Sequence, residues 1–483
     1  MKTYLFVYLS SAILALVITP IVIRLARRLR IVNIPGPRHA HTEPISHIGG
    51  VAIFVSMMCP AIGVLFLSNV IGDAFRSILP KLIVLLCSAA FIFFIGLIDD
   101  LKTKGLRARI KFLAQLAAAI AVCAAGVRIE SVAIAEQFTL DFGWFSWPLT
   151  LAWIVGITNA VNLSDGLDGL AAGISAIACG VIAIFAIQAG NVVMAVLMLA
   201  LLGSLTGFLF FNFSPAKIFM GDCGSLFLGF TIASASVMCA TKSAALVGLA
   251  LPVLALGVPI FDTIFSMLRR FLERRSMFSA DRRHFHHKLF DMGLKQRHVV
   301  ITIYVITLLS AGLGMFMIVA SNISALMIFF CILLLLFFAF QVVGSVRLTE
   351  TIAALQKKYA ITHQVQEEKR NFEDVQLHFR NACTYDQWWS AVCKAAEQMD
   401  FAWLSLKTKD KDGSIRTEVW RTTEAQPELS NVVTMTIPLR NHGQSGPMEF
   451  EIAVTVNGSY ESAGHRATLF SRLIDEHEVI SKV

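Results

Sequence analysis

Long apolar stretches between residues 4 and 343 constrain the fold of this chain more than any other feature of its sequence. A helix needs about 20 apolar residues to cross the hydrocarbon core of a bilayer. Eleven stretches meet or approach that length, namely residues 4–23, 48–70, 80–98, 110–127, 145–161, 169–189, 192–211, 224–240, 244–268, 299–320 and 322–343. The sequence therefore predicts an all-α polytopic membrane protein with about eleven transmembrane helices in residues 1–346.

Lysine and arginine are distributed unevenly among the loops that join these stretches. The loops after odd-numbered stretches carry most of the basic residues, and the intervening loops carry few. Because basic residues in short loops mark the cytoplasmic side, the N-terminus is predicted to lie outside. The first stretch is followed by Arg24 and Arg27 instead of a small-residue cleavage site, which favours an anchor over a signal peptide.

The last part of the chain has a different charge balance. Residues 1–346 contain 25 basic and 14 acidic residues, whereas residues 347–483 contain 16 and 19. Residues 347–380 are predicted to form a helical linker. Alternating apolar residues then predict strands and a closing helix, at residues 402–407, 415–420, 432–438, 448–456 and 466–481. We expect residues 381–483 to form a small cytoplasmic α+β domain that is GAF-like in pattern. Its expected role is binding or scaffolding.

Five aspartates stand where apolar stretches end on the predicted cytoplasmic side: Asp99, Asp100, Asp165, Asp168 and Asp222. Ionisable groups near the hydrocarbon boundary are costly and usually serve a site or a pathway. The adjacent pair Asp99–Asp100 can hold a divalent metal, or repulsion can raise one pKa so that it acts as a base. A solvated loop start explains that pair equally well when it is considered alone.

Two glycine-containing segments add further polar groups. Residues 162–169 supply Asn and Asp oxygens that suit a hard metal ion, although an Asx-rich turn would have the same composition. Residues 212–225 combine Asn212, Lys217, Phe219 and Asp222. An aromatic ring can stack on a nucleobase, a lysine can meet phosphate, and a carboxylate can hold magnesium. Taken alone, Phe219 would be interpreted as an interfacial aromatic residue.

A basic loop at residues 281–288 reads Asp-Arg-Arg-His-Phe-His-His-Lys. Arginine forks bind phosphate oxygens, and imidazoles donate to phosphate or ligate metal. A cluster for anionic lipid would explain the arginines, but not three histidines in four positions. Together the loops contain metal ligands, cations and a base, which phosphoryl transfer from a nucleotide diphosphate requires. Since the enclosure is a membrane, the acceptor is expected to be a lipid.

Five motifs in this order resemble the polyprenyl-phosphate N-acetylhexosamine-1-phosphate transferases of glycosyltransferase family 4. The resemblance covers residues 1–320, and the motifs are His47–Gly50, Asp99–Asp100, Asn159–Gly169, Phe219–Ser225 and residues 282–287. The spacing Arg-Arg-His-Phe-His-His is similar to the WecA and TagO types. It differs from the consecutive histidines of the phospho-N-acetylmuramoyl-pentapeptide transferases.

The resemblance implies roles for individual residues. The implied catalytic residues are Asp99, Asp100, Asp165, Asp222, His284, His286 and His287. The implied substrate-binding residues are Lys111, Asp168, Asn212, Phe219, Arg282 and Arg283. Asn162 and Asp222 would contact magnesium or manganese, and Asp99 is the candidate to deprotonate the lipid phosphate. The mechanism of the family is open between direct attack by that phosphate and a covalent intermediate on a carboxylate.

The resemblance also implies a reaction and a location. An N-acetylhexosamine-1-phosphate, by default that of N-acetylglucosamine, would move from a UDP-sugar to undecaprenyl phosphate in the bacterial inner (plasma) membrane, releasing UMP. No nucleic-acid partner is expected, and a homodimer is possible. The alternatives are a pentapeptide transferase, a membrane transporter and a membrane-anchored sensor. The clustering of carboxylates on one face, without a broken-helix repeat in two halves, disfavours the transporter.

Overall fold

The computed structural model describes two compact units, Met1–Thr351 and Ile352–Val483. Within them, the described residues are 2–31, 45–102, 105–135, 138–240, 245–272, 285–320, 322–343, 356, 376–409, 414–422, 432–439, 448–456 and 460–477. The predicted linker at residues 347–380 lies mostly outside these ranges.

The first unit is helical, with one small hairpin. Its helices are α1 (Lys2–Arg28), α2 (Gly50–Gly63), α3 (Val70–Ser77), α4 (Leu79–Leu101), α5 (Ala108–Ala124), α6 (Ser146–Leu163), α7 (Leu170–Gln188), α8 (Val192–Asn212), α9 (Gly221–Ala240), α10 (Ala245–Ala255), α11 (Gly257–Leu272), α12 (Phe285–Asp291), α13 (Gln296–Met315) and α14 (Asn322–Val342). The antiparallel strands β1 (Ser131–Ala135) and β2 (Phe138–Asp141) form the hairpin between α5 and α6.

Seven of the described helices are long and apolar enough to cross a membrane: α1, α4, α7, α8, α9, α13 and α14. Two bent pairs, α2 with α3 and α10 with α11, raise the number to nine if each pair is one span. The other two predicted spans correspond to α5 and α6, which have 17 and 18 residues. The structure therefore supports a multi-pass membrane protein, and it does not confirm the count of eleven.

One predicted span ends early and another is broken: the helical part of the stretch 48–70 stops at Phe66, and the stretch 244–268 is divided between α10 and α11. The chain turns by 100° between α2 and α3, where the side chain of Asn69 accepts hydrogen bonds from the amides of Ile71 and Gly72 and starts a new helix. It turns by 77° between α10 and α11. Gly257 and Pro259 stand at that second break, and proline cannot donate the backbone hydrogen bond that a continuous helix needs.

Helix α9 is the central helix of the first unit. In its most apolar window, 94% of the residues are buried inside the protein, against 22% for α14. Gly96 of α4 allows close contact, because a Cβ there would lie 2.5 Å from the Cα of Cys223. Small residues let helix backbones approach in this way inside a membrane. The close packing brings the end of α4 against the beginning of α9, where the candidate site lies.

The second unit contains a four-stranded antiparallel sheet with two helices. Its elements are α15 (Tyr385–Gln398), β3 (Phe401–Lys409), β4 (Ile415–Arg421), β5 (Val432–Leu439), β6 (Met448–Thr455) and α16 (Tyr460–Glu476), and the strand order is β4-β3-β6-β5. Leu404 pairs with Ile452 and Leu406 with Phe450, so alternate residues face one buried core. The four predicted strands are confirmed. The closing helix begins at Tyr460, earlier than predicted, and α15 was not predicted.

Candidate active site

Asp100, at the end of α4, caps the beginning of α9. Its two carboxylate oxygens accept hydrogen bonds from the amides of Asp222 and Cys223, each at 2.9 Å. The first amides of a helix have no partner within the helix, so a carboxylate there satisfies them and matches the helix dipole. Gly221 has φ +74°, and a Cβ at this position would collide with the carbonyl of His47. Glycine is therefore required where the chain enters α9.

Lys111, from the first turn of α5, joins two of the aspartates. Its Nζ lies 2.6 Å from Oδ2 of Asp222 and 3.1 Å from Oδ2 of Asp99. Asp99 also accepts a hydrogen bond from the amide of Leu106, two residues before α5 begins. The ends of α4, α5 and α9 thus share one ionic network, although they are distant in sequence.

Asn162, at the end of α6, completes this network. Its Nδ2 donates to Oδ1 of Asp222 at 3.1 Å and to Oγ of Ser225 at 2.8 Å. A backbone segment on the other side is also held in place, because His47 Nε2 lies 2.8 Å from the carbonyl oxygen of Asp100. His47 belongs to a motif noted in the sequence, but its contact with the aspartate pair could not be deduced there.

Three of these carboxylates can hold a metal ion together. Asp99, Asp100 and Asp222 each offer an oxygen atom, and the three atoms lie within 4.8 Å of one another. Carboxylate oxygens are the donors that magnesium prefers. When the three groups are ionised and Lys111 is protonated, their net charge is −2, which one divalent cation balances. The sequence pointed to Asn162 and Asp222 for this role and offered the Asp99–Asp100 pair as a possible metal site; the structure brings that pair to Asp222 and puts Asn162 beside Asp222.

Asp165 lies in the loop between α6 and α7, beside this cluster. It retains some exposed surface, yet its carboxyl is densely surrounded by protein. Burial, followed by the negative charges of Asp222, Asp100 and Asp168, raises the pKa of Asp165 to about 8. A carboxyl group with this pKa is mostly protonated at neutral pH, so it can donate as well as accept a hydrogen bond.

Asp168 and Asn212 hold the segment that leads into α9. Oδ2 of Asp168 accepts from the amide of Ala216 at 3.1 Å, and Nδ2 of Asn212 donates to the carbonyl of Ile218 at 2.8 Å. Both side chains are buried. Phe219 is partly buried, and its backbone pairs with Ser46 and Gly49. The structure brings these three residues to one segment next to the acidic cluster; their contact with a nucleotide stays a prediction.

The histidines of the basic loop approach the site from α12. His286 is buried, and a Cβ on Gly166 would lie 3.6 Å from its Nε2. The ring of His287 lies beside that of His286, with centroids 4.4 Å apart. Asp262 of α11 accepts a hydrogen bond from the amide of Phe285 at 2.9 Å and so anchors the start of α12. The other predicted residues of this loop, Arg282, Arg283 and His284, lie outside the described residues.

Sequence reasoning did not assign a role to Asp262, Ser225 or Tyr304. Tyr304 of α13 donates to the carbonyl of Gly169 and supports the loop that carries Asp165. Asp262 could have been identified from the sequence, because it is an ionisable group within an apolar stretch and such groups usually have a function. The contacts of Ser225 and Tyr304 left no comparable trace, because hydroxyl groups are common in membrane helices.

Comparison with known proteins identifies the family of the first unit. Residues 82–240 match glycosyl transferase family 4. The "Probable undecaprenyl-phosphate N-acetylglucosaminyl 1-phosphate transferase" of Bacillus subtilis is 41% identical over 302 residues, which cover 62% of this chain and 80% of that protein.

Two further relatives have names that state other substrates than that of the Bacillus subtilis protein. The "Decaprenyl-phosphate N-acetylglucosaminephosphotransferase" of Mycobacterium leprae is 36% identical over 61% of this chain and 79% of its own length. The "Phospho-N-acetylmuramoyl-pentapeptide-transferase" of Halalkalibacterium halodurans is 31% identical over 65% of this chain and 98% of its own length. The matches cover 80%, 79% and 98% of these three relatives, each at 31% identity or more. The chain therefore belongs to glycosyl transferase family 4, whose members named here transfer phospho-sugars.

Proposed function

We propose that this protein transfers N-acetylglucosamine-1-phosphate from UDP-N-acetylglucosamine to undecaprenyl phosphate, releases UMP and thereby starts a lipid-linked cell-envelope glycan. The similarity to the Bacillus subtilis transferase supports this acceptor and this sugar. The observation that carries the proposal is the convergence of Asp99, Asp100 and Asp222 around Lys111. Acidic metal ligands beside a lysine suit the transfer of a phosphoryl group between two anionic substrates.

We further propose that the acidic cluster holds magnesium or manganese, through Asp99, Asp100 and Asp222 with Asn162 alongside. The fit rests on the three converging oxygen atoms and on the net charge of the cluster. Such an ion would neutralise charge on the donor pyrophosphate. Lys111 then has two roles. Its ammonium contacts both Asp99 and Asp222 and offsets the repulsion between their carboxylates, and it offers a positive charge to phosphate oxygens.

Protons and orientation come from the neighbouring residues. Asp99 is proposed to accept the last proton of the lipid phosphate, with its carboxylate oriented by Lys111 and by the amide of Leu106. His286 and His287, on α12, are proposed to orient the donor pyrophosphate, together with Arg282, Arg283 and His284. Asp168, Asn212 and Phe219 are proposed to shape the place where the uridine lies.

The runner-up activity is that of a phospho-N-acetylmuramoyl-pentapeptide transferase. The Halalkalibacterium halodurans relative favours it, since that protein matches along 98% of its length. Its identity to this chain is lower, at 31% against 41% for the Bacillus subtilis relative. The spacing of the histidines in residues 284–287 also differs from the consecutive histidines of that subfamily.

The finer architecture is also a proposal. We infer eleven spans by counting the two bent pairs, α5 and α6 together with the seven clear helices. The distribution of basic residues supports an external N-terminus and a cytoplasmic active site in a bacterial inner membrane. The sheet with its two helices agrees with a GAF-like module for binding or scaffolding. A homodimer is compatible with all of these features.

The test is transfer by the purified protein with undecaprenyl phosphate and a panel of labelled donors. The panel contains UDP-N-acetylglucosamine, UDP-N-acetylgalactosamine and UDP-N-acetylmuramoyl-pentapeptide. We expect labelled lipid with the first donor, release of UMP in equal amount, and no product after chelation until magnesium or manganese is restored. Product from the pentapeptide donor alone would establish the runner-up, and undiminished transfer in excess chelator would remove the metal ion from the proposal.

A further inference from the structure

A cavity of about 360 Å³ lies at the other end of α4 and α9 from the acidic cluster. Its walls include Lys81 from the start of α4, Asn191 from the start of α8 and Met238 from the end of α9. Lys81 and Asp99 are 18 positions apart on α4, which at 1.5 Å per residue places them about 27 Å from each other. The cavity is therefore separate from the candidate active site.

Lys81 is the one charged side chain among the described residues that line this cavity. Its Nζ stands at the wall, because a Cβ on Gly126 would lie 3.5 Å from that atom. None of the ion pairs found among the described residues involves Lys81, whereas Arg76 pairs with Asp73 and Arg128 with Glu130. The cavity also lies at the N-terminus of α4, where the amides of Leu79 and Lys81 have no partners within the helix and the helix dipole adds positive potential.

The other polar side chains in the cavity wall already have hydrogen-bond partners within the protein. The amide of Asn191 donates to the carbonyl of Met238 at 3.3 Å, and its oxygen accepts from the amide of Met194. The hydroxyl of Ser77 donates to the carbonyl of Ala74 at 2.8 Å. The cavity therefore offers a ligand one charged donor at its wall, which suits an anion that has few other polar groups.

The cavity stands at the level where lipid headgroups are expected. Ile83, two residues further along α4 and about 200° around that helix from Lys81, is 50% exposed on the outer surface of the helix bundle. Trp144, which precedes α6 at the same end of the bundle, is 82% exposed. Exposed tryptophans concentrate at the membrane–water interface, and exposed isoleucines face the hydrocarbon. An anion bound to Lys81 would thus lie between headgroups and water.

We propose that this cavity binds the phosphate group of an anionic lipid headgroup, with the ammonium of Lys81 as its counter-ion. The phosphate lies against Lys81 and the first turn of α4, and the acyl chains extend from there towards the hydrocarbon level that Ile83 marks. This site does not depend on the transferase reaction, because none of its residues reaches the acidic cluster.

The test is native mass spectrometry of the full chain in a non-ionic detergent, with added dioleoyl phosphatidylglycerol or dioleoyl phosphatidylcholine. We expect the wild-type protein to retain one phosphatidylglycerol molecule more firmly than phosphatidylcholine. Lys81→Gln should lower that retention roughly 5-fold, as expected for one lysine at an anionic lipid surface. Lys295→Gln, which removes an exposed lysine at the start of α13, should leave it unchanged.

A second variant, Ala125→Leu, fills the cavity and keeps Lys81, and it should also lower retention. Both variants should carry out lipid-linked sugar transfer like the wild-type protein, which shows that they fold. Glycerol-1-phosphate is added as the water-soluble arm. If it binds equally well, the source of the phosphate is soluble and the lipid assignment is overturned. Equal retention of phosphatidylglycerol by the wild-type, Lys81→Gln and Ala125→Leu proteins would overturn the site itself.

Discussion

The two units of this protein use buried charge in different ways. In the first unit, Asp99, Lys111 and Asp222 come from three helices and form one network. In the second unit, the buried guanidinium of Arg466 donates to the carbonyls of Met399 and Thr455 and to the carboxylate of Asp400. Both arrangements join a cation to carboxylates, but their partners differ.

This difference distinguishes a candidate functional site from a contact that stabilises the fold. The Arg466 guanidinium bonds mainly to backbone oxygens, so it fixes the end of α15 against β6 and α16. The carboxylates of the first unit converge on one another, which is unfavourable unless cations offset the repulsion. Such an arrangement implies a function that needs the negative charge. We therefore expect mutations in the first network to affect turnover, and changes in the second unit to leave it nearly intact.

The largest effect is expected for Asp222→Asn. The change removes one negative charge from the proposed metal ligands and one of the two carboxylates that contact Lys111. Turnover should therefore fall by roughly 100- to 1,000-fold, the size seen when an electrostatic contact to the transition state is lost. The measurement is the rate of lipid-linked sugar formation at equal membrane abundance. Asp141→Asn, an exposed aspartate on the β1–β2 hairpin, is the matched control and should keep full activity. Activity of Asp222→Asn within a few-fold of wild type would contradict the assignment of this residue.

A smaller effect is expected for Asp99→Asn. A phosphate monoester already loses its second proton near pH 6, so a general base increases the rate only modestly at neutral pH. Turnover should therefore fall on the order of 10- to 100-fold, while UDP-sugar binding persists. Turnover is measured against pH for both proteins. Steeper loss below neutral pH in the variant supports proton transfer. Parallel profiles with a small offset would mean that Asp99 only positions charge.

The next effect concerns stability and Asp165. Its pKa is raised to about 8, so between about pH 4 and pH 8 the folded protein holds a proton that the unfolded chain has lost. Stability should therefore fall as pH rises through this window, by at most about 1.4 kcal/mol per pH unit from this group. Asp165→Asn should flatten that part of the profile. The midpoint of thermal unfolding, measured in chelator at several pH values, is the observable, and an unchanged slope in the variant would refute the assignment.

The smallest effect is expected when the second unit is removed. A chain that ends after Val346 retains every residue of the acidic network, so its turnover should remain within about two-fold of the full-length value, as for an independent domain. Both proteins are compared at equal membrane abundance. A large loss, or a much higher Michaelis constant for the UDP-sugar, would show that the second unit acts as a lid over the site. The contrast between the two units would then fail.

Local composition was sufficient to predict most elements of the fold. Apolar runs predict helices wherever they are long, and alternation predicted all four strands of the second unit, because both patterns depend on neighbours in the sequence. Where prediction failed, local polar or backbone details ended a helix. Asn69 starts α3 where the predicted stretch 48–70 ends, and Gly257 and Pro259 break the stretch 244–268.

The sequence by itself determined which residues are chemically able to form the site, since carboxylates, amides and basic groups stand at the ends of apolar stretches. Only the tertiary structure decided how they combine. Asp100 accepts from the amide of Asp222, 122 positions later, and Lys111 meets Asp222 across 111 positions. No local pattern encodes these pairs. The first pair exists because Gly96 lets α4 and α9 pack closely, which brings the end of one helix to the unpaired amides of the other.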